Sequence, residues 1–318
     1  MARADVLAGL VSRWDDTGVG ATRQRLVAEL LAGSTPTSSP FGRVEGRLDL
    51  RGLPVTAALS PQTSRADVGT ADGQGWRSID LSGAELSGMN WRGHRVEDCV
   101  FDHARLEGLR CWAVTVTGSS FVGADLRAGQ LGPLPTGQVG PSRWSEVDLR
   151  RSDLRGAHAG AEFTSVDLGN AKLTGADLGW STLTDVRFAG VVHGLTIGAR
   201  PVSDRPAGWT LTAVDLTAAR PRGLRLIGVD LGTRDVRLPE DDEHWRVPEW
   251  PAVLDAVESR ALRTGDDDAR LAAAVWVDRQ RADLGPRQRE GFVARRDLLE
   301  LGGPALAALV RDVIAPAG

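Results

Sequence analysis

The sequence predicts an all-β solenoid with helical segments at both ends, on three observations. A large apolar residue recurs at every fifth position, as in "SVDLGNAKLTGADLGWSTL" (165–183), where the leucines stand five residues apart. Neither an α-helix, with about 3.6 residues per turn, nor a half-buried strand, with a period of about 2, requires that spacing. The period persists over a long central segment, as in solenoids, whereas both ends of the chain have helical spacing.

The first run of the repeat starts at Trp76 and ends at Leu131. A second column of mostly small or apolar residues lies two positions before these centres, with His94 as the main exception. Residues between the two columns are often small and polar or acidic, so we expect them to face water. The centres of this run are Trp76, Leu81, Leu86, Trp91, Val96, Phe101, Leu106, Cys111, Val116, Phe121, Leu126 and Leu131.

Segments that bear glycine and proline interrupt the register and are predicted to be loops. They lie at 132–143 and 192–208, and a third loop is predicted near 56–75, after the short piece "RLDLRGLPV" (47–55). The apolar centres of the later runs are Trp144, Leu149, Leu154 and Ala159, then Phe163, Leu168, Leu173, Leu178, Leu183 and Phe188, and finally Leu211, Leu216, Pro221, Leu226, Leu231 and Val236.

Both ends of the chain are predicted to be helical, which suits a solenoid because its terminal coils need caps. We predict an N-terminal helical cap over 1–40, a repeat domain over 41–238 and a C-terminal helical domain over 239–318. The C-terminal domain is expected to hold four short helices, with acidic residues at their starts and glycines at their ends. The acidic stretch "PEDDEH" (239–244) is interpreted as a solvated linker, with a docking site as the alternative.

The repeated units "GADL", "SVDL", "AVDL" and "GVDL" resemble the motif of the pentapeptide-repeat family: a small residue, Asp or Asn, Leu, and two variable positions. The resemblance covers 76–236. It implies a right-handed quadrilateral β-helix with one pentapeptide per side and four sides per coil. Residues twenty positions apart, such as Phe101 and Phe121, are then expected to stack. Known family members usually end in a short dimerisation helix, so a homodimer is possible through segments such as "GPALAALVRDVI", which can also pack within the chain.

Composition excludes several classes of function. The chain has 318 residues, of which 42% are hydrophobic, and a net charge of −4. No segment has the basic surplus of a protein that grips phosphate backbones, so no direct nucleic-acid binding is expected. The chain has no run of about 18 apolar residues and no apolar stretch near its start, which predicts no membrane span, no signal peptide and a cytoplasmic location. Its two cysteines fit neither a disulfide framework nor a metal site.

No catalytic, cofactor-binding or metal-ligating residue is predicted. His94, Cys99 and His103 lie close together in sequence, yet the register places the first two inward and the third outward, which favours core filling over a nucleophile or a metal site. The segment "GVGATR" (18–23) lacks the spacing of a phosphate-binding loop. We therefore expect a protein that is not an enzyme and needs no cofactor. An enzyme would require a cleft where the repeat meets the C-terminal domain.

The expected partner is a protein. The resemblance implies DNA gyrase or a related type II topoisomerase as the first candidate, because some family members protect these enzymes with acidic rods that imitate duplex DNA. The sequence departs from that pattern, since 76–236 holds 18 acids and 18 bases. The alternative is a scaffold that binds an unrelated partner through the rod or the C-terminal helices. The candidate partner-binding residues are Asp148, Asp153, Asp167, Asp177, Pro133, Leu134, Pro135 and Gln138.

Overall fold

The structure is a computed structural model that describes residues 3–56, 66–68, 75–132, 140–198, 209–233, 235–285 and 288–314. Most of the described chain forms a solenoid of short parallel strands, with helices before and after it. The helices are α1 (Arg3–Ser12), α2 (Gly20–Leu31), α3 (Trp250–Ala261), α4 (Asp267–Asp283) and α5 (Arg295–Ile314). Short 3₁₀ turns cover Thr17–Val19 and Leu231–Thr233.

The strands are short because each side of a coil is only five residues long. In chain order they are β1 (Arg43–Val44), β2 (Arg47–Asp49), β3 (Ala66–Val68), β4 (Gly75–Arg77), β5 (Ile79–Asp80), β6 (Met89–Arg92), β7 (Arg95–Glu97), β8 (Arg110–Trp112), β9 (Thr115–Thr117), β10 (Ser142–Ser145), β11 (Ala161–Gly169), β12 (Asp177–Leu178), β13 (Thr182–His193), β14 (Thr196–Ile197), β15 (Leu211–Thr212), β16 (Val214–Arg222), β17 (Arg225–Leu226), β18 (Val236–Arg237), β19 (His244–Val247) and β20 (Gly291–Ala294).

Four parallel ladders run along the described solenoid, one for each side of the coil. The first ladder joins β4, β7, β9, β10, β11, β13 and β15. The second passes from β2 and β5 through single bridges to β11, β13, β16 and β18. The third consists of single bridges from Pro54 to Lys172, and the fourth joins β3, β6 and β8 through bridges to β12, β14 and β17. The pentapeptide period thus produces a four-sided β-solenoid.

The breaks in the period leave the ladders intact. Bonded residues of neighbouring regular coils are 20 apart, as for Ser78 and Asp98, whereas Val114 and Ser142 are 28 apart because additional residues separate these two coils in the sequence. The predicted loop at 192–208 begins later than expected, since residues 192–198 still belong to the solenoid through β13 and β14. That prediction was wrong at its start because Val192, Leu195 and Ile197 fill inward positions one residue out of the five-residue frame.

The inward residues form one continuous apolar core from Trp14 to Leu238. All twelve centres of the first run are buried, with exposures of 0–1%. The predicted stack of Phe101 on Phe121 is confirmed, with ring centroids 4.6 Å apart and planes inclined by only 13°. Stacking of like on like gives each coil the close packing that stabilises protein interiors.

The N-terminal helices lie against the first coil and close its exposed end. Trp14 donates its ring N–H to the Arg51 carbonyl at 2.8 Å, and Trp76 donates to the Leu30 carbonyl at 3.3 Å. Thr35 occupies the free edge of β4, where its hydroxyl donates to the Gly75 carbonyl at 2.7 Å and accepts the Arg77 N–H at 3.0 Å. A satisfied edge strand offers no template for pairing with another chain.

The C-terminal region has its own apolar core, formed by residues such as Leu254, Trp276 and Val310. The prediction of four short helices for this region was wrong. The acidic stretch is exposed at 240–243 and leads into β19, which pairs antiparallel with β20 inside the segment expected to start the third helix. The third and fourth expected helices are the two halves of α5, joined at a kink where Gly303 has a φ of 64°.

The apolar tail segment "GPALAALVRDVI" packs within the chain, because Leu306, Ala307 and Val310 are buried against the C-terminal core. These residues therefore contribute to the fold of this chain, and the homodimer stays a prediction. In the described part of the chain, every helix is too short or too polar to span a lipid bilayer.

His94 is a polar side chain at an inward position of the solenoid. Its ring is 1% exposed and lies between Trp76 and Trp91, with centroid distances of 4.9 and 6.2 Å. Neither ring nitrogen has a hydrogen-bond partner among the described residues. Burial lowers the pKa of His94 to about 4, so the ring stays neutral inside the solenoid at neutral pH.

We expect His94 to make the fold acid-sensitive. The unfolded chain takes up a proton at His94 below about pH 6.5, whereas the folded chain resists it until about pH 4. The free energy of unfolding therefore falls as the pH drops through this window, by up to about 3 kcal/mol. Urea unfolding at pH 7.5 and pH 5 measures the loss, which His94→Leu should remove. The exposed His158→Gln serves as the control, and an equal pH dependence in wild type and His94→Leu would contradict the assignment.

Candidate functional site

The predicted partner-binding aspartates perform a local structural role. Each precedes an inward leucine, and its carboxylate accepts the backbone N–H two residues later. The distances to these nitrogens are 3.0 Å for Asp148, 3.3 Å for Asp153, 2.8 Å for Asp167 and 2.7 Å for Asp177. The acidic position of the repeat thus closes the turn between two sides of the coil, as Asp side chains commonly do.

Two of these aspartates are also neutralised by neighbouring cations. Arg150 forms an ion pair with Asp148 at 2.5 Å, and Arg155 forms one with Asp153 at 2.7 Å. Burial tends to raise the pKa of Asp148, but hydrogen bonds from the Arg150 side chain and backbone and the charge of Arg150 lower it below its ordinary value. The pKa of Asp153 is lowered against burial in the same way by Arg155, with a further contribution from Lys172.

The sequence contains a signal for this pairing that a net charge does not show, because net charge ignores the spacing of acids and bases. The triplet Asp-Leu-Arg occurs at 49–51, 125–127, 148–150 and 153–155. In each triplet the leucine points inward, so the aspartate and the arginine both lie on the outer side of the same segment. Each of these arginines donates to the aspartate of its own triplet through its side chain. The repeat therefore builds its own ion pairs.

The four predicted aspartates do not form one surface. Asp148 and Asp167 are adjacent on the second ladder, where Arg187 follows them. Asp153 pairs with Lys172 on the third ladder, and Asp177 lies on the fourth. The predicted loop residues lie outside the described residues; they are Pro133, Leu134, Pro135 and Gln138.

The third ladder carries a row of paired charges, which we call the paired-charge strip. Glu85 pairs with Arg105 at 3.3 Å, Arg127 pairs with both Glu107 at 2.9 Å and Asp125 at 2.7 Å, and Lys172 approaches Asp153 at 3.6 Å. The strip consists of Glu85, Arg105, Glu107, Asp125, Arg127, Asp153, Arg155 and Lys172. It presents charges of both signs, paired within and between several coils.

The Cys and His residues do not assemble a reactive site. Cys99 is 1% exposed, and burial raises the pKa of its thiol to about 12, so the thiol stays protonated at neutral pH. Cys111 is fully buried, and burial raises its pKa as well. Within the described ranges, no group of three or more His, Cys, Asp or Glu side chains is placed to hold a metal ion.

We expect the turn-closing role of Asp177 to depend on its oxygen atom and not on its charge. Asp177→Asn keeps an acceptor for the Gly179 N–H, whereas Asp177→Ala leaves this bond unmade at a cost of about 1 kcal/mol. Urea unfolding at low and high salt measures both variants. Equal losses for Asn and Ala would instead identify the charge as the stabilising property.

Comparison with known proteins supports the repeat assignment. The model of the family "Pentapeptide repeats (8 copies)" matches residues 79–110 and 161–191. Solved structures with similarity to this chain include a trypsin-treated form of QnrB1, a plasmid-mediated fluoroquinolone resistance protein, with 14% identity, a TM-score of 0.29, and coverage of 62% of this chain and 84% of that one. Another is HetL, from the cyanobacterium Nostoc sp. strain PCC 7120, with 17% identity, a TM-score of 0.20, and coverage of 67% and 89%.

These structural similarities are too low to carry an argument about function, and no curated protein matches the sequence. The family match falls on the described solenoid, in segments whose inward leucines and turn-closing aspartates follow the repeat. The chain therefore carries pentapeptide repeats, and its resemblance to the pentapeptide-repeat family is confirmed.

Proposed function

We propose that this protein is a non-catalytic binding protein that contacts a protein partner along the side of a right-handed quadrilateral β-helix. Its helical N-terminal segment and its C-terminal helical domain would cap the two ends, with domain boundaries near residues 40 and 238. The presence of a separate apolar core on each side of residue 240 supports this division. The chemistry of the rod supports binding over catalysis, because its interior is filled and its thiols are buried.

The observation that carries the proposal is the paired-charge strip. Charges of both signs at fixed positions on a regular surface give electrostatic complementarity to a protein that presents the opposite charges at matching positions, and they disfavour partners of uniform charge. The strip is accessible, since Arg105 and Lys172 have side-chain exposures of 62% and 64%. Partner recognition would then involve Asp153 and its neighbours as members of ion pairs.

A type II topoisomerase is the specific partner that the resemblance to the family suggests. The rod supports this candidate by its extended form, because coils stacked about 4.8 Å apart lengthen the solenoid along one axis. The paired charges of the rod favour a mode of contact other than imitation of DNA. Imitation of DNA needs closely spaced unneutralised acids, whereas Asp125, Asp148 and Asp153 each carry an arginine of their own triplet.

We expect a supercoiling assay with purified gyrase to test this partner directly. The protein at micromolar concentration, with and without a quinolone, should inhibit supercoiling or rescue it from the drug if gyrase is the partner. Absence of both effects would exclude gyrase while leaving the binding function open to other partners.

The double variant Arg127→Gln/Arg155→Gln distinguishes the two modes of contact. It removes two cations from the strip but leaves the turn-closing oxygens of Asp125 and Asp153 in place. Recognition by paired charges predicts weaker partner binding by about tenfold, since two cross-interface ion pairs are lost. Imitation of DNA predicts stronger binding, because the strip becomes more acidic.

Affinity measured by surface plasmon resonance against gyrase, or against any partner captured by the wild-type protein, reads out this difference. Arg311→Gln, on the exposed side of α5, provides a control with a single cation removed far from the strip. A double variant that binds as tightly as the wild type would exclude the strip as the contact surface.

A further inference from the structure

A cleft of about 370 Å³ lies where the last coils of the solenoid meet α4 and α5. The solenoid contributes His193, Gly223 and Arg225, while the helical region contributes Trp276, Arg279 and Asp297, among others. Ligand sites occur preferentially at junctions of this kind, since two separately packed units leave a concave seam between them. The cleft is distinct from the paired-charge strip and from every residue predicted from sequence.

The walls of the cleft are fixed to each other by hydrogen bonds across the junction. Arg225 on β17 donates two bonds to Asp283 at the end of α4, at 2.9 and 2.5 Å, and the Gly228 N–H donates to the Asp283 carbonyl at 2.9 Å. The Gly223 N–H donates to Oδ1 of Asp297 in the first turn of α5 at 2.8 Å. Because both helices are held to the solenoid, the cleft is preorganised.

The corner of the solenoid that faces the cleft has no side chains. Gly194 and Gly223 lie directly above each other there, with φ values of 63° and 60°, a left-handed conformation that glycine adopts without strain. A bare corner leaves room beside the carboxylate of Asp297. Trp276 and the half-buried Phe292 supply an apolar wall to the same space.

Among the residues that line the cleft, Asp297 best indicates the charge of the ligand. Its carboxylate holds the Gly223 N–H with one oxygen, and the structure shows no second hydrogen bond for it among the described residues. Burial raises the pKa of Asp297; the bond from Gly223 lowers it and the nearby charge of Glu300 raises it. An asparagine would accept the same bond without a desolvated charge, so the charge of Asp297 by itself costs stability. A cationic group in the cleft would offset that cost.

A second charge of opposite sign faces the same space. Arg279 projects from α4 into the lining of the cleft, is exposed, and makes no ion pair within the described part of the chain. Its charge acts on Asp297, yet the two side chains are not in direct contact. Glu300 lies one turn after Asp297 on α5, where it pairs with Arg296 at 2.8 Å. The lining of the cleft thus combines two carboxylates, an arginine unpaired among the described residues and an apolar wall.

We propose that this junction cleft binds a small zwitterion of the amino-acid class, with its ammonium group at Asp297 and Glu300, its carboxylate at Arg279 and its side chain against Trp276 and Phe292. A lone cation would be repelled by Arg279, and a lone anion would be repelled by the two carboxylates. A zwitterion satisfies both ends, and charge-assisted hydrogen bonds in a partly desolvated site are the strongest that such a ligand can make. No bond is made or broken in the bound molecule.

Isothermal titration calorimetry of the full chain tests the proposal with L-leucine, L-methionine and L-phenylalanine as probes. We expect at least one of them to bind below about 1 mM, a modest affinity for a ligand of this size. The amide and the N-acetyl derivative of the best probe carry only one charge each and should bind at least about tenfold more weakly. Failure of all three amino acids to bind at about 10 mM would overturn the proposal, as would undiminished binding of either derivative.

Two variants connect the binding to the named residues. Asp297→Asn retains the acceptor for Gly223 and should keep the fold while weakening binding by at least about tenfold. Arg279→Gln should weaken it similarly, whereas Asp278→Asn, on the outer side of α4, should leave it unchanged. Thermal unfolding without ligand verifies that each variant is folded. Wild-type affinity in the Asp297→Asn variant would show that the charge is not used and would overturn the assignment.

Discussion

The structure depends on one packing constraint: each side of each coil turns a large apolar residue inward, and that residue stacks on its counterpart in the next coil. The stacked rings of Phe101 and Phe121 show the constraint in its simplest form. Since the interior is filled in this way, the solenoid has no room for a ligand along its axis. Whatever the protein binds must meet its outer sides or its ends.

The same repeat determines the charge of the outer sides. Where an aspartate precedes an inward leucine, its carboxylate closes the turn, so acids recur along the solenoid for a structural reason. Where the residue after the leucine is arginine, the acid is neutralised by its own triplet, as at Asp125 and Arg127. A count of acids therefore overstates the negative field of such a rod, and the pairing of the charges is the property that a partner experiences.

The parts of the fold that repeat could be predicted from the sequence. The period identified the inward residues and predicted the stack of Phe101 on Phe121, because stacking in a solenoid follows directly from residue spacing. It missed β19 and β20, whose four-residue strands pair across more than forty positions and are too short to show a period. Pairings of that kind are fixed by the tertiary structure and leave no local signal.

The two candidate sites differ in the same way, because one lies in the repeat and the other lies outside it. The ion pairs of the paired-charge strip could have been predicted from the sequence. The triplet Asp-Leu-Arg is visible there, and an inward leucine places the flanking aspartate and arginine together on the outer side of the coil. The junction cleft was not readable, because Gly223, Arg279 and Asp297 come from three elements whose arrangement no period encodes. In a solenoid with a filled core, the non-repeating end is the place where side chains from different elements can converge. One carboxylate oxygen of Asp297 accepts the Gly223 N–H of the solenoid, and the same carboxylate lines the cleft. Ligand binding in the cleft and attachment of the helical region therefore depend on one residue.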